Sequence, residues 1–240
     1  MTTREEMLER VRKALGRPQA SPVLGPPSAL DLTGVMPPLV PEEYQAKFQA
    51  EWEKVAGVAH RAATIEELEA VLQKILAGSG THAVVLSRNP LLTELRIADR
   101  LRAAGKLVTS WAGDSTGAAA PSLAQFDAAS FQAEVGITGV ECVLAETGSL
   151  VLTSLTEGVQ IASLAPPVHV ALYRRSQLVG SLDEVLARLP VSHLAGQTSP
   201  GRSVVIVTGT SRTADIEQIL IHGVHGPREA HAILVEESCR

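Results

Sequence analysis

The stretch His82–Ser110, HAVVLSRNPLLTELRIADRLRAAGKLVTS, decides the architecture. His82–Ser87 is a short apolar run suited to a buried strand. Leu91–Ala104 reads as a helix and ends at Gly105. Lys106–Ser110 is a second strand-like run. A strand, a helix and a strand in succession imply parallel strands joined by a crossover helix.

The same rhythm extends in both directions. Upstream, residues 42–57 look helical, and Thr64 with Glu67 three positions on forms a capping box for a helix that runs to Gly78. Downstream, a polar small-residue loop (Ala112–Pro121) leads into a helix over 122–133. Val140–Ala145 and Ser149–Ser154 are strand-like runs around the turn Glu146-Thr-Gly148, His169–Tyr173 is a strand, and Leu182–Leu189 is a helix. After a second loop, over 190–201, Ser203–Thr208 (SVVIVT) reads as a strand, Thr213–His222 as a helix and His231–Val235 as the closing strand. The expectation is an α/β fold with a mostly parallel sheet flanked by helices, over residues 41–240. Residues 1–40 form an N-terminal appendage: an amphipathic helix over 3–15, then an extended arm, with seven prolines in residues 16–41.

Bulk composition narrows the function. The net charge is −5, no basic block is present and aromatics make up 3%, so nucleic acid is not an expected partner. The N-terminus has no apolar core of a secretory signal, and no run approaches the ~20 apolar residues of a membrane span. A cytoplasmic location is expected. Two cysteines, Cys142 and Cys239, stand far apart outside any C-x-x-C pattern. An iron–sulfur cluster takes about four thiolates, so this chain is expected to hold none.

Three segments carry chemistry. Thr208-Gly-Thr-Ser-Arg-Thr-Ala-Asp-Ile-Glu217 follows a strand and reads as the opening of a helix with Thr213 at its cap. Free N–H groups there, the hydroxyls of Ser211 and Thr213 and the Arg212 guanidinium would suit a carboxylate or phosphate at the C-terminal edge of the sheet. Plain helix capping, with Asp215 meeting the dipole, explains the same residues. Gly223-Val-His-Gly-Pro-Arg228 offers His225, whose ordinary pKa near neutrality suits acid–base work. His222, His225 and His231 are close in sequence, but their spacing does not make a metal site, and no metal is expected. Glu141–Ser154 places Glu146 at the end of an apolar run, where it is either a surface turn residue or a carboxylate facing a pocket. Val135-Gly-Ile-Thr-Gly-Val140 lacks the dinucleotide fingerprint, and there is no phosphate-binding P-loop.

At these segments the chain resembles the LUD-domain family, in its LutC/YkgG-type branch. Gly136–Gly139, Ala145–Ser149, Ser211–Glu217 and Gly223–Pro227 match in order and spacing, over roughly residues 40–236. The resemblance implies a fold like that of the NagB/RpiA/CoA-transferase group. It also implies action with two iron–sulfur partner proteins in the oxidation of L-lactate to pyruvate, with no cofactor in this chain itself. Two departures stand out. The family's Gly-Pro-Ser lead-in is Gly209-Thr210-Ser211 here, and where relatives carry a Gly-Arg pair this chain has Glu157-Gly158-Val159-Gln160.

The combined expectation is a subunit that binds a small anionic metabolite. Glu146 and His225 are the candidate proton-handling groups. Thr147, Gly148, Ser149, Ser211, Arg212 and Thr213 are the candidate anion-binding residues. A second copy of the chain is a further candidate partner. Two other functions fit the same residues: a stand-alone enzyme acting on a phosphorylated or CoA-linked small substrate, and a non-catalytic metabolite-binding or assembly module.

Overall fold

A computed structural model describes residues 3–16, 39–111, 120–188, 203–214, 220–223 and 225–239. Contacts divide the chain into two units, Met1–Pro38 and Leu39–Arg240. In the first, α1 (Arg4–Ala14) starts at a capping box in which Thr3 accepts from the Glu6 amide and the Glu6 carboxylate accepts from the Thr3 amide. Every residue of α1 is exposed.

The second unit begins with a short 3-10 turn at Pro41–Glu43, then α2 (Tyr44–Lys54), β1 (Val58–Ala62), α3 (Ile65–Gly78) and β2 (Ala83–Leu86). The expected Thr64 cap of α3 is present, and Glu67 reaches back to the Ala63 amide. The single helix expected over 91–104 is two, α4 (Pro90–Glu94) and α5 (Ile97–Ala103), broken at Arg96 with φ +52°. A straight helix would turn Ile97 and Leu101 away from the side that buries Leu91, Leu92 and Leu95. The break re-aims them, and all five are buried.

There follow β3 (Leu107–Ser110), α6 (Leu123–Gln132), β4 (Val135–Thr138), β5 (Cys142–Leu144), β6 (Ser149–Thr153), α7 (Ser154–Glu157), β7 (Val168–Tyr173), β8 (Leu178–Val179) and α8 (Leu182–Arg188). The unit closes with β9 (Val204–Val207), β10 (Arg212–Ala214), β11 (Leu220–His222) and β12 (Glu229–Val235). No helix among the described residues is long and apolar enough to cross a membrane.

Six strands form a wholly parallel sheet in the order β1-β12-β7-β4-β2-β3. One face carries Val84, Leu86, Ile137, Val170 and Ile233 and is covered by leucines of α3, α4 and α5. The other carries Ala171, Tyr173, Ala232 and Leu234 and packs on Phe48 and Trp52 of α2 and on Leu150 and Leu152 of β6. Alternate residues of one strand thus serve two cores, as a period of two requires. A second sheet, β8-β5-β6-β9, lies over that second core. In it β5 and β6 form an antiparallel hairpin and β9 runs antiparallel to β6. Burying a leucine or valine in these cores contributes about 1.5–3 kcal/mol each.

The helix expected over Thr213–His222 gives way to strand at both of its described ends. Arg212–Ala214 and Leu220–His222 pair as an antiparallel ribbon, with Thr213 opposite Ile221. Residues 215–219, including Asp215, lie outside the described residues. Thr213, expected at the cap of a helix, lies in β10. The sequence reading also passed over β4, fully buried, whose Gly136 admits the carbonyl of Ala162 where a Cβ would overlap it.

Candidate functional site

The expected motif segments do meet, but at the opposite edge of the parallel sheet from the one anticipated. The Glu146-Thr147-Gly148 turn joins β5 to β6. Gly148 has φ +63°, and a Cβ there would overlap the α2 backbone at Glu51 and Trp52, so the turn rests on that helix. Pairing of β6 with β9 brings Ser149 against Thr208, with hydroxyl oxygens 2.8 Å apart. Thr147 extends the run, its hydroxyl 2.7 Å from that of Ser149. Beyond Thr208 the chain turns at Gly209, φ +80°, against the carbonyl of Val55, to which the Thr210 amide donates at 3.3 Å. The Ser211 amide then donates to the Pro227 carbonyl at 2.8 Å, and the Gly223 amide to the Ser211 carbonyl at 3.0 Å.

Val55 precedes β1, Pro227 precedes β12, and Pro167, which accepts from the Arg228 amide at 2.9 Å, precedes β7. The junction therefore sits at the N-terminal ends of these strands. The Ser211-Arg212 segment reaches it from β9 of the second sheet, not from a strand of the parallel one. The Thr210 hydroxyl oxygen is buried in this junction without a hydrogen-bond partner among the described residues. That is the kind of group that awaits a water or ligand.

The individual side chains differ in what they do. Ser149 is buried, Ser211 partly buried, and Thr147, Arg212 and His225 are exposed. The partly buried Glu146 carboxylate accepts from the Leu182 amide at 3.4 Å, so it addresses the start of α8 rather than the Ser211 loop. His231, from the expected histidine group, lies on β12, with its Nδ1 3.1 Å from His60 Nε2 on β1. Among the described residues no group of three His, Cys, Asp or Glu is placed to hold a metal. Cys142 and Cys239 are both buried, and burial pushes the Cys142 thiol up to about 11.

The C-terminal edge of the sheet holds a different cluster. From β2 the chain passes to β3 on one side, and β4 lies on the other, so the β2–β4 gap is a switch point of the kind where open α/β sheets place ligands. The fully buried Glu157 carboxylate ends there. It accepts from the Ser87 hydroxyl at 2.6 Å, the Gly139 amide at 3.1 Å and the Asn89 side-chain amide. Burial raises its pKa, opposed by these donors. Beside it lies a crevice of about 280 Å³, lined by Asn89, Glu94, Glu141, Thr156, Arg174 and Gln177 among others. Arg174 binds Glu94 at 2.6 Å and the carbonyls of Glu236 and Cys239 at 2.5 and 3.1 Å.

Glu157 gave little sequence signal, because its three partners lie upstream in two separate loops, Ser87 and Asn89 after β2 and Gly139 after β4. Gln160, at the stretch compared with the family's Gly-Arg pair, is committed to structure: its amide donates to Leu152 and Ser203 carbonyls, and its oxygen accepts from the Ser203 hydroxyl.

The family model of the LUD domain matches residues 45–235. Uncharacterized protein YkgG of Escherichia coli is 32% identical over 158 residues, 66% of this chain and 64% of that protein. Lactate utilization protein C of Halalkalibacterium halodurans is 37% identical over 106 residues, covering 44% of this chain and 46% of that one. The chain thus spans less than two thirds of either relative. Lactate utilization protein C of Geobacillus kaustophilus is 28% identical over 250 residues, 98% of this chain and 96% of that protein. The crystal structure of a DUF162 family protein from Deinococcus radiodurans shares the fold, with a TM-score of 0.52 at 19% identity, over 82% of this chain and 99% of that one. With the match running from α2 to the end of β12, the chain belongs to the LUD-domain family.

Proposed function

We propose that this chain is a cytoplasmic subunit of a bacterial system that oxidises L-lactate to pyruvate, acting with two iron–sulfur proteins and binding a small carboxylate at the loop junction. The observation that carries the binding part is the 2.8 Å contact between Ser149 and Thr208. It joins the Glu-Thr-Gly-Ser turn to the end of β9, three residues before Ser211, and lines up the hydroxyls of Thr147, Ser149 and Thr208, with the exposed Arg212 following in the same segment. The relatives named lactate utilization protein C support the metabolic assignment.

Converting lactate to pyruvate removes two electrons and two protons. The electrons would pass to clusters in the partner proteins. On this chain, Arg212 would hold the carboxylate in forked geometry, and the hydroxyls of Thr147 and Ser149 would orient it. His225 would accept the hydroxyl proton, and the hydrogen on the hydroxyl-bearing carbon would leave as the second proton, to solvent, as its electron pair passes to the partners' clusters. Glu146, already bonded to the start of α8, would hold the turn in place.

The test is purification of the tagged chain from its host grown on L-lactate, with iron content and lactate-dependent dye reduction measured on the eluate. Co-purifying iron with dye reduction is the expected result. A lone iron-free chain under gentle conditions would overturn the subunit reading. Arg212→Ala, on an exposed side chain, should lower lactate binding about tenfold or more without shifting the melting temperature. Unchanged binding would remove Arg212 from the site.

A further inference from the structure

α1 carries an apolar face that no described residue of its own unit covers. Met7, Leu8, Val11 and Leu15 are 58%, 39%, 48% and 63% exposed. On a helical wheel Leu8, Val11 and Leu15 alternate by three and four residues, the spacing of a coiled-coil seam, and Arg4 completes that row at its N-terminal end. Met7 and Ala14 flank the seam on one side, and Glu5 and Arg12 flank it on the other.

The flanking charges choose the partner. The acidic residues Glu5 and Glu6 lie in the first turn and the basic Arg12 and Lys13 in the last. When two copies of α1 run antiparallel, Leu8 of each faces Val11 of the other. Glu5 of each then falls beside Arg12 of the other, twice by symmetry, and Met7 packs beside Ala14 on the far side. A parallel pair would set Met7 beside Arg12 and make neither ion pair. The surface is self-complementary in the sense a two-fold interface requires.

We propose that α1 is a self-association element that pairs antiparallel with α1 of a second copy through the Leu8–Val11–Leu15 seam, with Glu5–Arg12 pairs fixing the direction. A helix of 11 residues is about 16 Å long, and such a face buries less than the roughly 1,000 Å² of a tight interface. Association is therefore weak and concentration-dependent. The helix gains stability from the pairing, because isolated helices of this length are marginal in water.

The experiment is sedimentation of the full-length chain across a wide concentration range, on the wild type and four variants. Wild type should dimerise reversibly. Leu8→Asp should remain monomeric at every concentration. Glu5→Arg and Arg12→Glu should each weaken the dimer roughly tenfold, by setting like charges together. The double variant E5R/R12E should restore wild-type association, since the reversed pair has the same geometry. All these side chains are exposed, so the melting temperature should not change. A wild type that is monomeric throughout would overturn the proposal, as would a dimer that survives Leu8→Asp or a double variant that stays as weak as the singles.

Discussion

His60 and His231 share a hydrogen bond across the seam between β1 and β12, Nε2 to Nδ1 at 3.1 Å, with their rings 5.3 Å apart. The contact needs a lone pair on one of the two facing nitrogens, so the folded state cannot hold both rings cationic. Burial, with His60 nearby, pushes His231 down to about 4, and burial with Lys74 lowers His60. His169, fully buried against Thr138, is pushed down to about 4 by burial. The unfolded rings bind protons near pH 6.5, above the folded values, so stability is full above that pH and falls as the pH drops toward 4. Urea midpoints measured between pH 4.5 and 7 should rise with pH, and His231→Gln should flatten the rise. An equally steep slope in the variant would refute the assignment.

Glu157 is the only acceptor described for the side chains of Ser87 and Asn89 at the switch point. Glu157→Ala would leave buried donors without acceptors and should cost about 3 kcal/mol or more. Glu157→Gln keeps the shape and one acceptor oxygen and should cost less. Denaturant unfolding of both variants separates the two losses, and equal costs would show that shape and a single acceptor oxygen contribute nothing and the carboxylate is everything.

Gly148→Ala tests the junction without touching a polar group. Its positive φ and the closeness of the Glu51–Trp52 backbone leave no space for a Cβ. The variant should melt several degrees lower and lose lactate binding, because Thr147 and Ser149 flank the displaced turn. A variant with wild-type melting and binding would show that the turn does not rest on α2 as described.

Arg174, 8% exposed, ties the C-terminal carbonyls of Glu236 and Cys239 to Glu94. Arg174→Met should therefore loosen the chain after β12 and expose the buried Cys239 thiol. Labelling with a thiol reagent under native conditions should be slow in wild type and at least about tenfold faster in the variant, as the labelling rate follows the population of the opened form. Equal rates would mean the tail is held by packing alone.

The parallel core was legible because its strands announce themselves. Ala83–Leu86, Val168–Tyr173 and Ala230–Val235 are apolar runs separated by helical spacing. β1 escaped notice because its edge position tolerates His60 and Arg61 among alanines. The partition into two sheets was illegible for a physical reason. The run SVVIVT has the composition of a buried parallel strand, yet β9 pairs antiparallel with β6 and leaves Val204 and Ile206 exposed. Likewise the apolar spacing of 213–222 satisfies a helix, but strand pairing of Arg212–Ala214 with Leu220–His222 prevails. Of the candidate site, the motifs singled out Ser149 and the segment leading to Ser211, but not the Ser149–Thr208 contact that links them. Which edge of the sheet it occupies depended on that second sheet, and Glu157 depended on contacts no local pattern encodes.

The sheet order also dictates when this protein can fold. β12, the last strand described, stands between β1 and β7. A nascent chain leaving the ribosome has β1 ready early, with no neighbour to pair with until nearly all of the second unit has emerged. Closing the sheet then means joining segments from the two ends of that unit, a slow, long-range step. Until it happens, β1 and β7 present unpaired edges, so the half-made chain is the stage at which aggregation is most to be expected. Removing the final strand would not trim the sheet but split it in two.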